Sequence, residues 1–401
     1  MTTLPSSSTF AVQAFSNVGH FYNHLFEPMF FVVALALPPV LGIPYEDVLT
    51  LIVAGKLATG FLSPVVGWLA DRWSVLGMMV IYFLGFGASG IWVGVSDTPA
   101  EMRAALVALG AFGSIYHPVG IAWVAQSSVN RGKALGVNGM FGGFGPALGG
   151  VFAGAMVEYA DWRTSFILPG VIVMATGAVL VVAVRRGAIK NEPLVPNRMA
   201  PLGMSDAVKI YFVLTIAMLL GSVAYQAAQS SLPKLFETRL GGLFGDGTAG
   251  IGTAMMIVYG VGGVVQVWTG HLADRYPLKW VYAVMIFLQG PVLALAATLA
   301  GVPLFLATIM MVTCNIGALP AENALMAKYT PGKWQATAYG FKYIAAFTFS
   351  SLGVYAAAKV LETTGSFSAL YMALGIGFVL MTAVVATLPN EGAKPALAPA
   401  E

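Results

Sequence analysis

The chain is poor in charge and nearly free of cysteine. Only 9% of its 401 residues are Asp, Glu, Lys or Arg, where a soluble domain carries roughly 25%. The single cysteine, Cys314, excludes an intramolecular disulfide and a thiolate metal cluster. No lysine or arginine precedes Lys56, so the basic start of a cleaved signal peptide is missing and no cleavage is expected. There is no GxxxxGKS/T phosphate loop and no Ser-His-Asp or Cys-His arrangement. Nucleotide-driven work and nucleophilic catalysis are therefore not expected. The chain is read as a non-enzyme, and no cofactor is implied.

What is present is apolar. Hydrophobic residues make up 58% of the chain, and mean hydropathy is +0.81. Apolar runs reach the roughly 20 residues a spanning helix needs, not the ~10-residue alternating segments of a barrel. Twelve helices are expected, near 11–38, 47–70, 75–96, 101–127, 133–158, 164–184, 208–233, 248–272, 278–300, 303–327, 334–359 and 367–388. The longest polar interruption, 185–207, lies near the middle. This divides the chain into an N-terminal six-helix bundle over 1–187, a cytoplasmic linker over 188–207 and a C-terminal six-helix bundle with a short tail over 208–401. With the linker placed inside, 13 basic residues fall on the cytoplasmic side and 5 on the other. That asymmetry puts both termini in the cytoplasm.

An internal repeat supports two halves. GWLADRW at 67–73 recurs as GHLADRY at 270–276, 203 residues later. Gly67 and Gly270 are expected to let a neighbouring helix approach closely. Asp71 and Asp274 are expected near the start of the following helix, where its dipole favours a carboxylate. Arg72 and Arg275 add positive charge on the cytoplasmic face. Further on, Gly145, Gly149 and Gly150 of GPALGG form a small-residue surface, and Pro146 is expected to bend its helix.

GWLADRW and its second copy resemble the conserved loop motif of the major facilitator superfamily. The resemblance implies two pseudo-symmetric six-helix bundles and a gating charge network that includes Asp71 and Asp274. GPALGG is similar to the glycine-proline signature of the superfamily's antiporters. GSIYHP at 113–118 and NVGHFYNH at 17–24 resemble the fosmidomycin-resistance branch. His117 occupies mid-helix four, where many proton-coupled exporters of the family have an arginine.

Polar side chains recur at helical spacing inside the apolar segments. Gln13, Asn17, His20, His24 and Glu27 fall within about 80° of one helix-one face, with Asn23 beside them. Lys56, Thr59 and Ser63 share a face of helix two, and Tyr116 and His117 lie in helix four. Tyr225, Gln226 and Gln229 align with Ser222 on helix seven, Asn315 and Glu322 on helix ten, and Tyr339 and Lys342 with Gln335 on helix eleven. Asn138 and Gln266 are read as interhelical hydrogen bonds. Lipid cannot satisfy such stripes, so they face a polar interior; the resemblance implies that helices one, four, seven and ten line it.

The helix-one stripe admits three readings. Glu27 and the histidines could carry protons. His, Asn and Gln could bind substrate, with Lys56 and Lys342 adding charge for an anion. His20, His24 and Glu27 could ligate a cation. Metal ranks last, because two lysines facing one cavity oppose a divalent ion, and no metal site is assigned. The expected function is secondary transport by alternating access, as proton-coupled export of a small anionic or amphiphilic solute. An organic-anion importer or uniporter is the alternative, ahead of a metal-ion or metal-chelate transporter and a non-transporting receptor. The partners expected are the solute, the lipid bilayer and protons, with no nucleic acid, for a monomer in a bacterial inner membrane.

Overall fold

The computed structural model describes residues 7–127, 131–189, 204–329 and 335–388. Helices occupy all twelve predicted segments. Among the described residues, ten helices are long and apolar enough to cross a membrane. The first segment falls outside that set because it is three short helices: α1 (Ser7–Asn23), α2 (Phe26–Val33) and α3 (Pro38–Leu41). The eleventh also falls outside it. Phe61, Trp68, Val264 and Trp268 are among many large apolar side chains left exposed on the helices. Such a surface is stable only against hydrocarbon; the chain is a multi-pass membrane protein.

Two compact units emerge, Met1–Pro196 with Phe244–Met256, and Asn197–Leu243 with Ile257–Glu401. The first contains α1 to α3, α4 (Tyr45–Thr50), α5 (Val53–Arg72), α6 (Val75–Val95), α7 (Pro99–Gly113), a π-helical turn (Tyr116–Gly120), α8 (Ile121–Gln126), α9 (Arg131–Tyr159) and α10 (Thr164–Arg185). The remaining helices are α11 (Met204–Arg239), α12 (Thr248–Arg275), α13 (Leu278–Ala296), α14 (Gly301–Tyr329), α15 (Gln335–Thr364) and α16 (Ser368–Ala386). Helix α11 thus begins inside the predicted linker and outruns the expected 208–233 at both ends.

Glycine fixes the helix packing. Gly87 on α6 and Gly170 on α10 face each other so closely that a Cβ on either would lie 2.6–2.7 Å from the other's carbonyl oxygen. Gly290 on α13 and Gly375 on α16 repeat this arrangement in the second unit, at 2.9 and 2.7 Å. Gly87 and Gly290 are 203 positions apart, the same offset as Asp71 and Asp274. Gly55 on α5 and Gly110 on α7 make a third backbone-on-backbone approach. The motif glycines do not behave as expected. A Cβ on Gly67 would meet only the Pro118 side chain at 3.4 Å, and one on Gly270 would meet nothing within 4 Å among the described residues.

Helix ends in the apolar interior also need partners. Arg163 donates through Nη1 to the carbonyls of Gly94 at 3.1 Å and Ser96 at 3.0 Å, closing the end of α6. Arg239 does the same for α13, donating to Ala297 O at 2.8 Å. Arg163 and Arg239 are therefore clamps on helix ends. At the other end of α6, Ser74 Oγ accepts from Gly77 N at 2.9 Å.

Filling a glycine contact is the direct test of this packing. Gly87→Ala and Gly290→Ala should each lower stability by about 1–3 kcal/mol, the usual cost of overpacking. Gly377→Ala, where a Cβ meets nothing within 4 Å, should leave it unchanged or slightly raised. Thermal denaturation in detergent reads the difference; equal midpoints for all three would remove glycine packing as the organising contact.

Candidate functional site

In the first unit, the chemistry gathers where helix one meets the π turn. An α-helix turns successive residues 100° apart, but the wider turn at Tyr116–Gly120 aims Tyr116 and His117 at the same neighbour. His20 stacks on Tyr116, with centroids 5.0 Å apart, and meets His117 edge-on at 5.5 Å. His24 lies 5.0 Å from His20 and 5.1 Å from His117. One nitrogen of each of the three imidazoles lies within 4.8 Å of the others.

Hydrogen bonds orient this cluster. Tyr116 donates to Ser16 O at 2.7 Å, and Ser16 Oγ donates to Gly120 O at 2.8 Å. Asn138 Nδ2 donates to Tyr116 Oη at 2.9 Å and to Asn17 Oδ1 at 3.0 Å. This is the interhelical bonding expected of Asn138, and its backbone does more: His20 Nδ1 lies 2.8 Å from Asn138 O. A carbonyl only accepts, so Nδ1 carries the proton and Nε2 keeps the lone pair. Asn23 contacts His117, with Nδ2 and Nδ1 3.2 Å apart.

Helix α9 is shaped to receive the histidine pair. A Cβ on Gly142 would lie 2.6 Å from His20 Cε1, and one on Gly145 2.8 Å from His24 Cβ. A Cβ on Gly149 would lie 2.6 Å from Leu25 O. Pro146 is buried between them, within an otherwise continuous α9. Glycines at 142, 145 and 149 share a helix face, a spacing visible in the sequence; Gly142 was overlooked because it precedes the GPALGG motif.

The stripe is not one unbroken surface. Helix one breaks at His24–Leu25, where His24 N to His20 O and Met29 N to Leu25 O stretch to 3.3 and 3.4 Å. Beyond the break, Glu27 on α2 meets Lys56 on α5, Nζ to Oε1 at 2.5 Å. Lys56 is 9% exposed and Glu27 29%. The two residues assigned separately to protons and to an anion are partners. Thr59 and Ser63 are spent elsewhere: Thr59 donates to Gly110 O at 2.9 Å and Ser63 to Thr59 O at 2.7 Å.

The second unit holds its own polar set. Gln226 donates to Gln229 at 3.1 Å, and Gln229 to Tyr225 Oη at 3.1 Å. Asn315 donates to Gln289 on α13 at 3.0 Å, and Tyr282, also on α13, donates to Glu322 at 3.1 Å. Tyr225, Gln289, Asn315 and Tyr259 line one narrow pocket. Gln289 and Tyr282 were missed, although a glutamine in mid-helix is a readable signal. Tyr339 and Lys342 sit on α15, but their side chains lie outside the described residues.

The loop-motif residues stand apart from these sets. Asp71 and Arg72 end α5, and Asp274 and Arg275 end α12; all four are exposed. The carboxylates therefore close the preceding helix instead of opening the next, whose N-caps are Ser74 and Pro277. Arg72 lies over the Trp68 ring at 4.9 Å.

Comparison with known proteins agrees with this architecture. The chain is 33% identical over 138 residues to the puromycin resistance protein pur8 of Streptomyces alboniger, covering 33% of this chain and 27% of that one. It is 32% identical over 143 residues to MdtD of Cronobacter sakazakii, named for multidrug resistance, covering 34% and 30%. The chain thus spans less than a third of the length of these relatives. Among solved structures, a POT family transporter in complex with 5-aminolevulinic acid superposes with a TM-score of 0.76 at 14% identity, over 94% of this chain and 95% of that one. The family model of the Major Facilitator Superfamily matches residues 18–265. The chain belongs to the Major Facilitator Superfamily, a family of membrane transporters and not of enzymes.

Proposed function

We propose that this transporter is proton-coupled and exports a small amphiphilic solute by alternating access, with Glu27 and Lys56 as the coupling pair. The observation that carries the reading is their 2.5 Å contact. A proton on Glu27 removes the charge that holds Lys56, so protonation and the state of Lys56 are linked. A solute whose polar group needs the Glu27 carboxylate competes with the proton, and competition for one site is the logic of exchange. The resistance names of pur8 and MdtD support export. The excess of basic residues on the linker side supports both termini in the cytoplasm, and the protein is proposed to work as a monomer in the inner membrane.

Lys56 favours one second reading. An anion that takes Lys56 binds together with the proton on Glu27, and co-binding is the logic of uptake with the proton. The remaining polar residues divide between the two roles. Asn17, Asn23, His20, His24, Tyr116 and His117 are proposed as the polar set of the first unit, and Tyr225, Gln226, Gln229, Asn315, Glu322, Tyr339 and Lys342 as that of the second. Asp71, Arg72, Gly145, Pro146, Asp274 and Arg275 are proposed to act in conformational gating.

The direction of proton movement tests the reading. In reconstituted vesicles carrying a lumenal pH dye, external puromycin should alkalinise the lumen beyond the protein-free control, and Glu27→Gln should cut that signal at least tenfold. A signal of wild-type size in Glu27→Gln would remove Glu27 as the coupling group, and lumenal acidification on adding an organic anion would favour uptake.

The pair itself is tested by a double-mutant cycle. Lys56→Met alone leaves Glu27 without this counter-ion, and should cost less than the about 3–5 kcal/mol of breaking a fully buried pair, because Glu27 is 29% exposed. Adding Glu27→Gln should recover part of the loss in thermal denaturation. Simple additivity of the two single effects would mean that the contact contributes nothing.

A further inference from the structure

We infer that His20, His24 and His117 form a binding site for one divalent transition-metal ion of the zinc class. The inference goes beyond the transport reading, since binding can be measured without transport. Three imidazoles from two helices each bring a nitrogen within 4.8 Å of the others. Ligands at the roughly 2.0–2.1 Å zinc–nitrogen distance stand about 3.3 Å apart around a tetrahedral ion, so small side-chain rotations close the triangle. Imidazole suits zinc, copper and nickel, whereas magnesium and calcium need oxygen donors.

The surroundings fit a ligand set. A metal-binding histidine characteristically donates its other ring N–H to a carbonyl. His20 does so, through Nδ1 to Asn138 O at 2.8 Å, which leaves Nε2 as the donor to metal. At His117 the contact runs the other way, Asn23 Nδ2 donating to Nδ1 at 3.2 Å, while the Asn23 Oδ1 atom is buried with no hydrogen-bond partner. Turning that amide end for end would satisfy the oxygen with the Nδ1 proton of His117 and free its Nε2 as well. Gly142 and Gly145 supply the seats that let His20 and His24 lie against α9.

Of the two lysines that would oppose a divalent ion, the Lys342 side chain lies outside the described residues. Lys56 is matched by Glu27, so that pair adds no net charge to oppose a cation. Glu27, counted among the possible ligands, is occupied there, and His117 takes its place. Three protein ligands leave the fourth position open to water or to a donor atom of a bound solute.

The test uses full-length protein purified in detergent without a histidine tag. Titration with zinc ion against a chromophoric chelator should give one equivalent per chain, and His24→Asn or His117→Asn should weaken binding at least tenfold. His271→Asn should change nothing, because His271 is exposed and bonds within its own helix to Val267 O at 2.8 Å. Cobalt ion added to the unaltered chain should give the intense visible bands of a four- or five-coordinate site, a readout that needs no variant. Less than half an equivalent of zinc, undiminished binding in the His20→Asn/His24→Asn/His117→Asn chain, or only the pale spectrum of six-coordinate cobalt would overturn the assignment.

Discussion

A hydrocarbon interior offers no hydrogen-bond partner, and every polar atom in these helices has to answer to that. Many serines and threonines donate to their own helix, as Ser89 does to Gly85 O at 2.7 Å and Thr253 to Ala249 O at 2.8 Å. Arg163 and Arg239 are held at helix ends because carbonyls there have no intrahelical donor. The same rule makes the Ser16–Tyr116–Asn138–Asn17 chain a single object. Each member satisfies another, so removing one leaves a stranded group where water is scarce.

Satisfying those groups requires the helices to come close, and glycine is what permits it. Without a hydrophobic drive between helices in lipid, association depends on short contacts. The Gly87–Gly170 and Gly290–Gly375 pairs place backbone against backbone in both units. The glycine face of α9 performs the same service for the site, because an alanine at 142 would push His20 off the Asn138 carbonyl. The antiporter-like glycine signature and the histidine stripe are thus two sides of one contact.

How much of this was legible depended on the period of the signal. The twelve helical segments were readable because a spanning helix must be long and apolar, and the repeat because its two copies agree at five of seven positions. The partners of polar residues were not. Glu27 and Lys56 are 29 positions apart, and His24 and His117 are 93 apart, so nothing local links them. The π turn was hidden too, since Tyr116-His117-Pro118 reads as an ordinary kinked helix. The unexpected positions of Gly67, Gly270, Asp71 and Asp274 share one cause: a motif shows that residues recur together, not which neighbour each one faces.

The break at His24–Leu25 ties these observations together. On one side of it stand the three imidazoles, on the other the Glu27–Lys56 pair. Its stretched hydrogen bonds weaken the helical ladder there. Lys56 is held firmly by contrast, because Gly55 beside it rests on the backbone of α7 and Thr59 one turn later bonds Gly110 O. A charge change at the pair therefore has a stiff side, α5 with α7, and a compliant side, the junction of α1 and α2. His24 stands at that junction, and its Cβ packs against α9 at Gly145, where a side chain would not fit. On the proposals made above, a metal ion on the imidazole cluster and a proton on Glu27 would act from opposite sides of that one short junction.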